Sequence, residues 1–423
     1  MKLTITKSRL AGSVEIPGSK SHTIRAVVIG SLAQGTSRIR KPLVAADTLA
    51  ALGACRLLGA DILKPDDWVI RGVDGCPRVP ENVIDVGNSG TTLYVTLGTA
   101  SLVDGVSIFT GDEQIRRRPA GPLIDALNAL GARVESTRGN GMAPIIVRGP
   151  MTGGSVGLDG SKTSQYLTCL LINCPLARSD TQIEVYGLIE KPYVRMTLAW
   201  LADQGIEVAN HNYERFDIPG GQRYRAFESS IPGDFSSATF FACAAAITGA
   251  ELTLLGLDVH DTQGDKAVVD MLAHMGARVE WFEGGLRIAG EGLKGGEFDL
   301  ADTPDALPAL AVTACFAEGE TRLVNVAQAR LKETDRISVM REELSKMGGD
   351  IRELPDGLII QGAPLYAATV HGHYDHRVIM ALAVAGLACE GETTVYTAEA
   401  LSVTFPTFVE LMQSLGTQMR AEE

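Results

Sequence analysis

The sequence predicts an α/β protein built from six copies of one unit and divided into two domains. Three observations lead there. A helix-end glycine motif recurs six times, a helix-start loop recurs six times in the same register, and the 423 residues are too many for one ordinary core.

The glycine series comes first. An apolar residue and Gly close an amphipathic stretch before a short strand at Leu58-Gly59, Leu130-Gly131, Met275-Gly276, Met347-Gly348 and Leu415-Gly416, with Gln204-Gly205 as the polar variant. Glycine there suits the left-handed residue that ends a helix. The loop series is Pro17–Ser21, Val86–Gly90, Asp159–Thr163, Pro232–Ser236, Ala301–Asp305 and Gly372–His376. Each unit therefore reads strand, loop, helix, strand, helix, Gly and two short strands, a βαβαββ repeat.

The sixth unit is short, because only seven residues follow Gly416. Its missing strands are expected from Thr4-Ile5-Thr6 and Gly12-Ser13-Val14-Glu15-Ile16. The chain would then cross between domains near Gly18 and Pro232, giving one domain of residues 19–232 and a discontinuous one of 1–18 plus 233–423. A single continuous solenoid would leave the last unit open at its edge.

Composition narrows the function. Hydrophobic residues make up 45% and charged residues 21%, as in ordinary soluble domains. A net charge of −13 and 5% aromatics argue against nucleic acid. A local cationic cleft for a small anion remains compatible with that charge. The seven cysteines show no CxxC pair and read as reduced core thiols. With neither a signal peptide nor an apolar run of spanning length, the expected location is cytoplasmic.

The loops suggest chemistry. Helix N-termini present unpaired N–H groups and partial positive charge, so six of them form anion sites if they converge. One Gly-Ser-Lys-Ser turn alone is as readily a plain N-cap, and the GxxxxGK[ST] spacing is absent. Lys20, Arg25, Arg116-Arg117-Arg118, Lys332, Arg336 and Arg377 lie on or beside these loops, with Asp305, Glu333 and Asp335 among them. An N-terminal Asp is usually a cap, but a carboxylate facing cations can serve as a general base. Neither a Ser/His/Asp triad, nor a metal signature, nor a dinucleotide fingerprint is convincing. The pattern suggests proton transfer on phosphorylated metabolites without a cofactor or metal.

Several stretches together resemble the EPSP synthase family of enolpyruvyl transferases: Pro17–Arg25 (PGSKSHTIR), Gly87–Thr92 (GNSGTT), Arg118-Pro119, Ser164-Gln165, Lys191-Pro192-Tyr193, Pro304-Asp305-Ala306, Lys332–Arg336 (KETDR) and Asp375-His376-Arg377. The sister enzymes acting on a nucleotide sugar have Lys-Asn where Lys20-Ser21 stands, and a reactive Cys within the loop matching Gly111–Pro119. The resemblance implies an inside-out α/β barrel in each of two domains, with the active site in the cleft between them. It implies transfer of the enolpyruvyl group of phosphoenolpyruvate to the 5-hydroxyl of shikimate 3-phosphate, by a monomer with small-molecule partners only. Lys20, Gly90, Arg118, Gln165, Arg336 and Arg377 would hold phosphoenolpyruvate. Lys20, Ser21, Arg25, Thr163, Ser164, Gln165, Tyr193, Asp305, Gln328 and Lys332 would hold shikimate 3-phosphate. Asp305, Glu333 and Lys20 would be catalytic: Asp305 takes the hydroxyl proton and Glu333 helps protonate the methylene carbon.

Three positions depart from the family pattern. Val403 replaces a Lys that touches phosphoenolpyruvate, Tyr94 replaces an Arg, and Glu190 replaces a Ser on the substrate phosphate. A carboxylate there would repel phosphate, and neighbouring Lys191 is expected to point into the site instead. The resemblance makes glyphosate, which occupies the phosphoenolpyruvate site, a ligand of altered affinity. A transferase with another acceptor and a catalytically dead anion-binding homologue are the alternatives.

Overall fold

The computed structural model describes residues 1–64 and 66–423. The chain forms two compact units, Gly18–Ile231 and Met1–Pro17 with Pro232–Glu423.

The 18–231 unit carries helices α1 (Lys20–Leu32), α2 (Ala46–Leu57), α3 (Gly90–Ala100), α4 (Gly121–Ala129), α5 (Gln165–Asn173) and α6 (Lys191–Asp203). The other unit carries α7 (Phe235–Thr248), α8 (Ala267–Met275), α9 (Leu307–Cys315), α10 (Arg336–Lys346), α11 (His376–Gly386) and α12 (Phe408–Ser414). The odd-numbered helices are apolar nearly all round and buried, so their stability comes from packing rather than from an amphipathic stripe. They are the inner helices of each unit, and the sheets lie outside them.

Small residues let the inner helices approach. A Cβ on Gly98 of α3 would lie 2.5 Å from Cys169 Sγ and from Asn173 Nδ2 of α5. Asn173 donates instead to the Val95 carbonyl at 3.1 Å and accepts from the Thr99 hydroxyl at 3.0 Å, which satisfies a buried amide across the pair.

Each repeat contributes a four-stranded sheet. In repeats two, three, five and six the strand before the inner helix pairs in parallel with the strand after it, and the remaining pairs are antiparallel. The six glycines that follow the even-numbered helices all have positive φ, from 69° at Gly205 to 110° at Gly276, as the capping argument requires.

The N-terminal strands join the unit the sequence led us to expect, but only one of them enters the sixth sheet. Lys2–Thr6 does complete the sixth sheet, lying antiparallel between Glu392–Tyr396 and Gln418–Glu422. The sixth repeat thus supplies one of its last two strands itself, from the few residues after Gly416. Gly12–Glu15 does not join that sheet. It pairs in parallel with Glu251–Leu255 of the fourth repeat. The matching place beside Thr36–Arg40 in the first repeat is taken by Glu228–Ser230. The leading strands of repeats one and four are therefore exchanged, which is why the chain changes units at 17–18 and again at 231–232. No helix among the described residues is long and apolar enough to cross a membrane.

Candidate functional site

In the 232–423 unit the candidate residues gather around one guanidinium. Arg336 opens α10 and is only 1% exposed. Its Nε donates to Asp375 Oδ2 at 2.7 Å, its Nη1 to Asp305 Oδ1 at 2.7 Å and its Nη2 to Glu333 Oε2 at 2.6 Å. Burial opposes its charge, but Asp375, Glu333 and Asp305 outweigh that and raise it above the ordinary arginine value. Arg377, on the first turn of α11, reaches the other oxygen of Asp305 at 2.9 Å.

The local fold explains these positions. Asp305 lies inside the 3-10 turn Pro304–Ala306 that leads into α9, so it is not a cap. The cap among the neighbouring carboxylates is Asp335, which accepts from Ser338 N at 3.1 Å and pairs with Arg330. Glu333 is the carboxylate of that loop that reaches Arg336. Asp375 caps α11 through Arg377 N at 2.9 Å while holding Arg336. Gln328 is buried and donates to the Ala301 carbonyl at 3.0 Å, on the loop that delivers Asp305. Lys332 is half-buried beside them.

In the 18–231 unit the candidates form smaller groups. Arg25 is buried on α1 and donates to Thr197 Oγ1 at 3.0 Å, to the Ser21 carbonyl at 3.0 Å and to the Tyr193 carbonyl at 3.0 Å. Burial pushes its pKa down to about 10, still charged at neutral pH. Lys20 Nζ lies 3.2 Å from Asp47 Oδ2 at the start of α2. The Arg118 guanidinium lies against Gly90, where an added Cβ would meet its Nη1 at 2.3 Å, so a side chain there would push the guanidinium aside. Thr163 and Ser164 precede α5, and Gln165 N donates to Thr163 Oγ1 at 3.2 Å.

The sequence expectation placed the cations at equivalent loops of the repeat. The structure corrects this. Lys20 and Arg377 open inner helices, whereas Arg118 precedes α4 and Arg336 opens α10, both even-numbered helices. Two kinds of loop carry the site residues, not one.

Comparison with known proteins bears on these geometries. The profile of the family described as EPSP synthase (3-phosphoshikimate 1-carboxyvinyltransferase) matches residues 5–412. A 3-phosphoshikimate 1-carboxyvinyltransferase of Ruminiclostridium cellulolyticum is 55% identical, over 98% of this chain and 99% of its own. That of Acetivibrio thermocellus is 56% identical over 98% of each. The chain belongs to the EPSP synthase family. An EPSP synthase structure from Acinetobacter baumannii superposes with a TM-score of 0.84 at 29% identity, covering all of both chains. The α/β repeats seen in each unit are thus those of the EPSP synthase fold.

Within that family the three departures acquire surroundings. Tyr94 is buried on α3, packs edge-on against Tyr166 at 5.1 Å and donates to the Pro119 carbonyl at 2.9 Å. Tyr166 donates to the same carbonyl at 2.5 Å. The two phenols fix the residue after Arg118, which positions that cation. Val403 ends the 3-10 segment Ala398–Val403 and packs against the apolar core of its unit. Lys191, expected to point into the site in place of Glu190, is exposed, with Nζ 5.9 Å from the Tyr213 ring centre.

Sequence reasoning missed Asp47, Asp265 and the hub role of Asp375. Asp265 is buried before α8, accepts from the Ser236 hydroxyl, and is pushed up to about 6 by burial and by Asp305, against Arg377. Only the repeat register, which sets residues before α8 beside those before α7, could have pointed to it. Among the described residues no group of three His, Cys, Asp or Glu is placed to hold a metal ion.

Proposed function

We propose that this chain transfers the enolpyruvyl group of phosphoenolpyruvate to the 5-hydroxyl of shikimate 3-phosphate, releasing phosphate. The observation that carries the reading is the knot of Arg336 and Arg377 on Asp305, with Glu333 on Arg336. It supplies two planar cation forks suited to carboxylate and phosphate, and two carboxylates to move protons.

The chemistry follows from that arrangement. Phosphoenolpyruvate brings its own carboxylate and phosphate and competes for the two guanidiniums. When Arg336 Nη1 or Arg377 Nη2 turns to substrate, a lone pair opens on Asp305. Asp305 then takes the 5-hydroxyl proton as that oxygen bonds to C2 of the enol. Glu333 delivers a proton to the methylene carbon, giving a methyl group and a tetrahedral intermediate. Elimination returns the carbon proton to Glu333 and breaks the C2–O bond to phosphate, and the leaving phosphate takes the proton held by Asp305, which restores both carboxyl groups. Lys20, Gly90, Arg118 and Gln165 complete the phosphoenolpyruvate set in this reading, with Lys20 also assisting proton transfer. Ser21, Arg25, Thr163, Ser164, Tyr193, Gln328 and Lys332 hold shikimate 3-phosphate. The reading requires residues of both units to act on one pair of substrates, in a cytoplasmic monomer.

The test is phosphate release from phosphoenolpyruvate. Release that depends on shikimate 3-phosphate supports the reading. Release only with another acceptor, or binding without release, overturns it.

A further inference from the structure

Glu190 is a buried carboxylate in the place where this family commonly has a serine on the substrate phosphate. It is 1% exposed and has a left-handed backbone, φ 55° and ψ 41°. A non-glycine residue in that conformation is held by its surroundings. What holds it is visible. Oε2 of Glu190 accepts from Ser164 N at 3.2 Å, from Ser164 Oγ at 3.0 Å and from Thr163 Oγ1 at 3.4 Å. One backbone N–H and two hydroxyls at the entrance to α5 form an oxyanion cradle, and an internal anion already fills it.

We infer that Glu190 is a specificity-determining residue of the acceptor site, an internal stand-in for the substrate's phosphate that the acceptor must displace. This rests on the reading that Thr163 and Ser164 hold shikimate 3-phosphate. A phosphate dianion and a carboxylate cannot share three donors, because like charges in a desolvated place repel strongly. Exchange of one anion for the other keeps the cradle's hydrogen bonds satisfied in both states. The free chain then never leaves Ser164 N and two hydroxyls buried without an acceptor. The same exchange disfavours an unphosphorylated acceptor, which cannot evict the carboxylate.

The test uses Glu190→Ser and Glu190→Gln of the full chain, with thermal melting to confirm folding. Titration calorimetry measures shikimate 3-phosphate, shikimate and inorganic phosphate on each protein. The expected result is that Glu190→Ser binds shikimate 3-phosphate and inorganic phosphate about tenfold more tightly or better, with shikimate affinity little changed. Glu190→Gln, which removes the charge but keeps an acceptor oxygen, falls between. In steady state the gain appears in the KM for the acceptor and not in the KM for phosphoenolpyruvate. Equal or weaker binding of inorganic phosphate by both folded variants overturns the inference and makes Glu190 a brace for the cradle. Wild-type turnover with shikimate 3-phosphate is followed in parallel. Its absence would count against the enzymatic reading, whereas the phosphate titration judges Glu190 independently.

Discussion

Arg336 Nε lies 2.7 Å from Asp375 Oδ2, and the carboxylate it meets is fully buried. One residue thereby caps α11 and aligns the guanidinium that opens α10. Asp375→Asn keeps a capping oxygen for Arg377 N but leaves Arg336 short of its innermost counter-charge. Loss of one partner of a buried pair costs about 3–5 kcal/mol. Denaturant unfolding should show a loss of that order, and the KM for phosphoenolpyruvate should rise. Unchanged stability and KM would mean that Glu333 and Asp305 suffice to hold the guanidinium.

Asp305→Asn separates binding from proton transfer. The amide oxygen can still accept from Arg336 or Arg377, so the fold should survive. The hydroxyl proton then has no acceptor, and kcat should fall about hundredfold or more. Phosphate release measured beside a melting curve decides this, and turnover near wild type would remove Asp305 as the base.

Asp265 predicts a pH-dependent gain in stability. Burial and Asp305 raise its folded value from 3.8 to about 6. The folded chain therefore holds this proton more tightly than the unfolded chain. Stability from the protonated form is present below about pH 4 and is lost as pH rises through about 6. Asp265→Asn cannot ionise and still accepts from Ser236. It should match wild type near pH 4 and exceed it by about 3 kcal/mol at pH 7 to 8. A difference that is the same at both ends of that range would show that charge is not its cause.

The thiols give a simpler test. Six cysteines are buried and Cys76 is exposed, so the expectation of core thiols fails at one position. Burial pushes Cys243 up to about 12 and Cys55 up to about 11. Only a thiolate attacks a disulfide reagent. At pH 8 the native chain should react at one thiol, Cys76, and the unfolded chain at all seven. More than one fast-reacting thiol in the native chain would contradict the burial.

The repeat was legible because it rests on local chemistry. Six left-handed glycines and the helix-start loops each announce themselves within a few residues. The destination of a strand is a different kind of fact. Gly12–Glu15 alternates like any strand, and nothing in its own residues says that it pairs with Glu251–Leu255 and not in the sixth sheet. Candidate site residues were legible where a charge stood in a recognisable motif, as at Asp305, Glu333 and Arg336. Asp47 and Asp265 lie in no such motif, and only long-range packing brings them to Lys20 and Asp305. Glu190 was legible as an odd residue, but the hydrogen bonds it makes to Ser164 and Thr163 were not.

Val403 offers the last test, because its surroundings set what a lysine could do there. It is half-buried against apolar core at the end of Ala398–Val403, just before Thr404-Phe405-Pro406. A lysine stem can lie on that same apolar surface while its ammonium reaches outward. Val403→Lys should therefore fold with little loss and restore a cationic contact of the phosphoenolpyruvate site. A hydrogen bond to a charged group is worth about 1.5–3 kcal/mol, or roughly a tenfold to hundredfold change in affinity. The inhibition constant for glyphosate and the KM for phosphoenolpyruvate should both fall in the variant. If the two proteins are inhibited equally, the missing lysine does not shape this site, and another cation already fills its role.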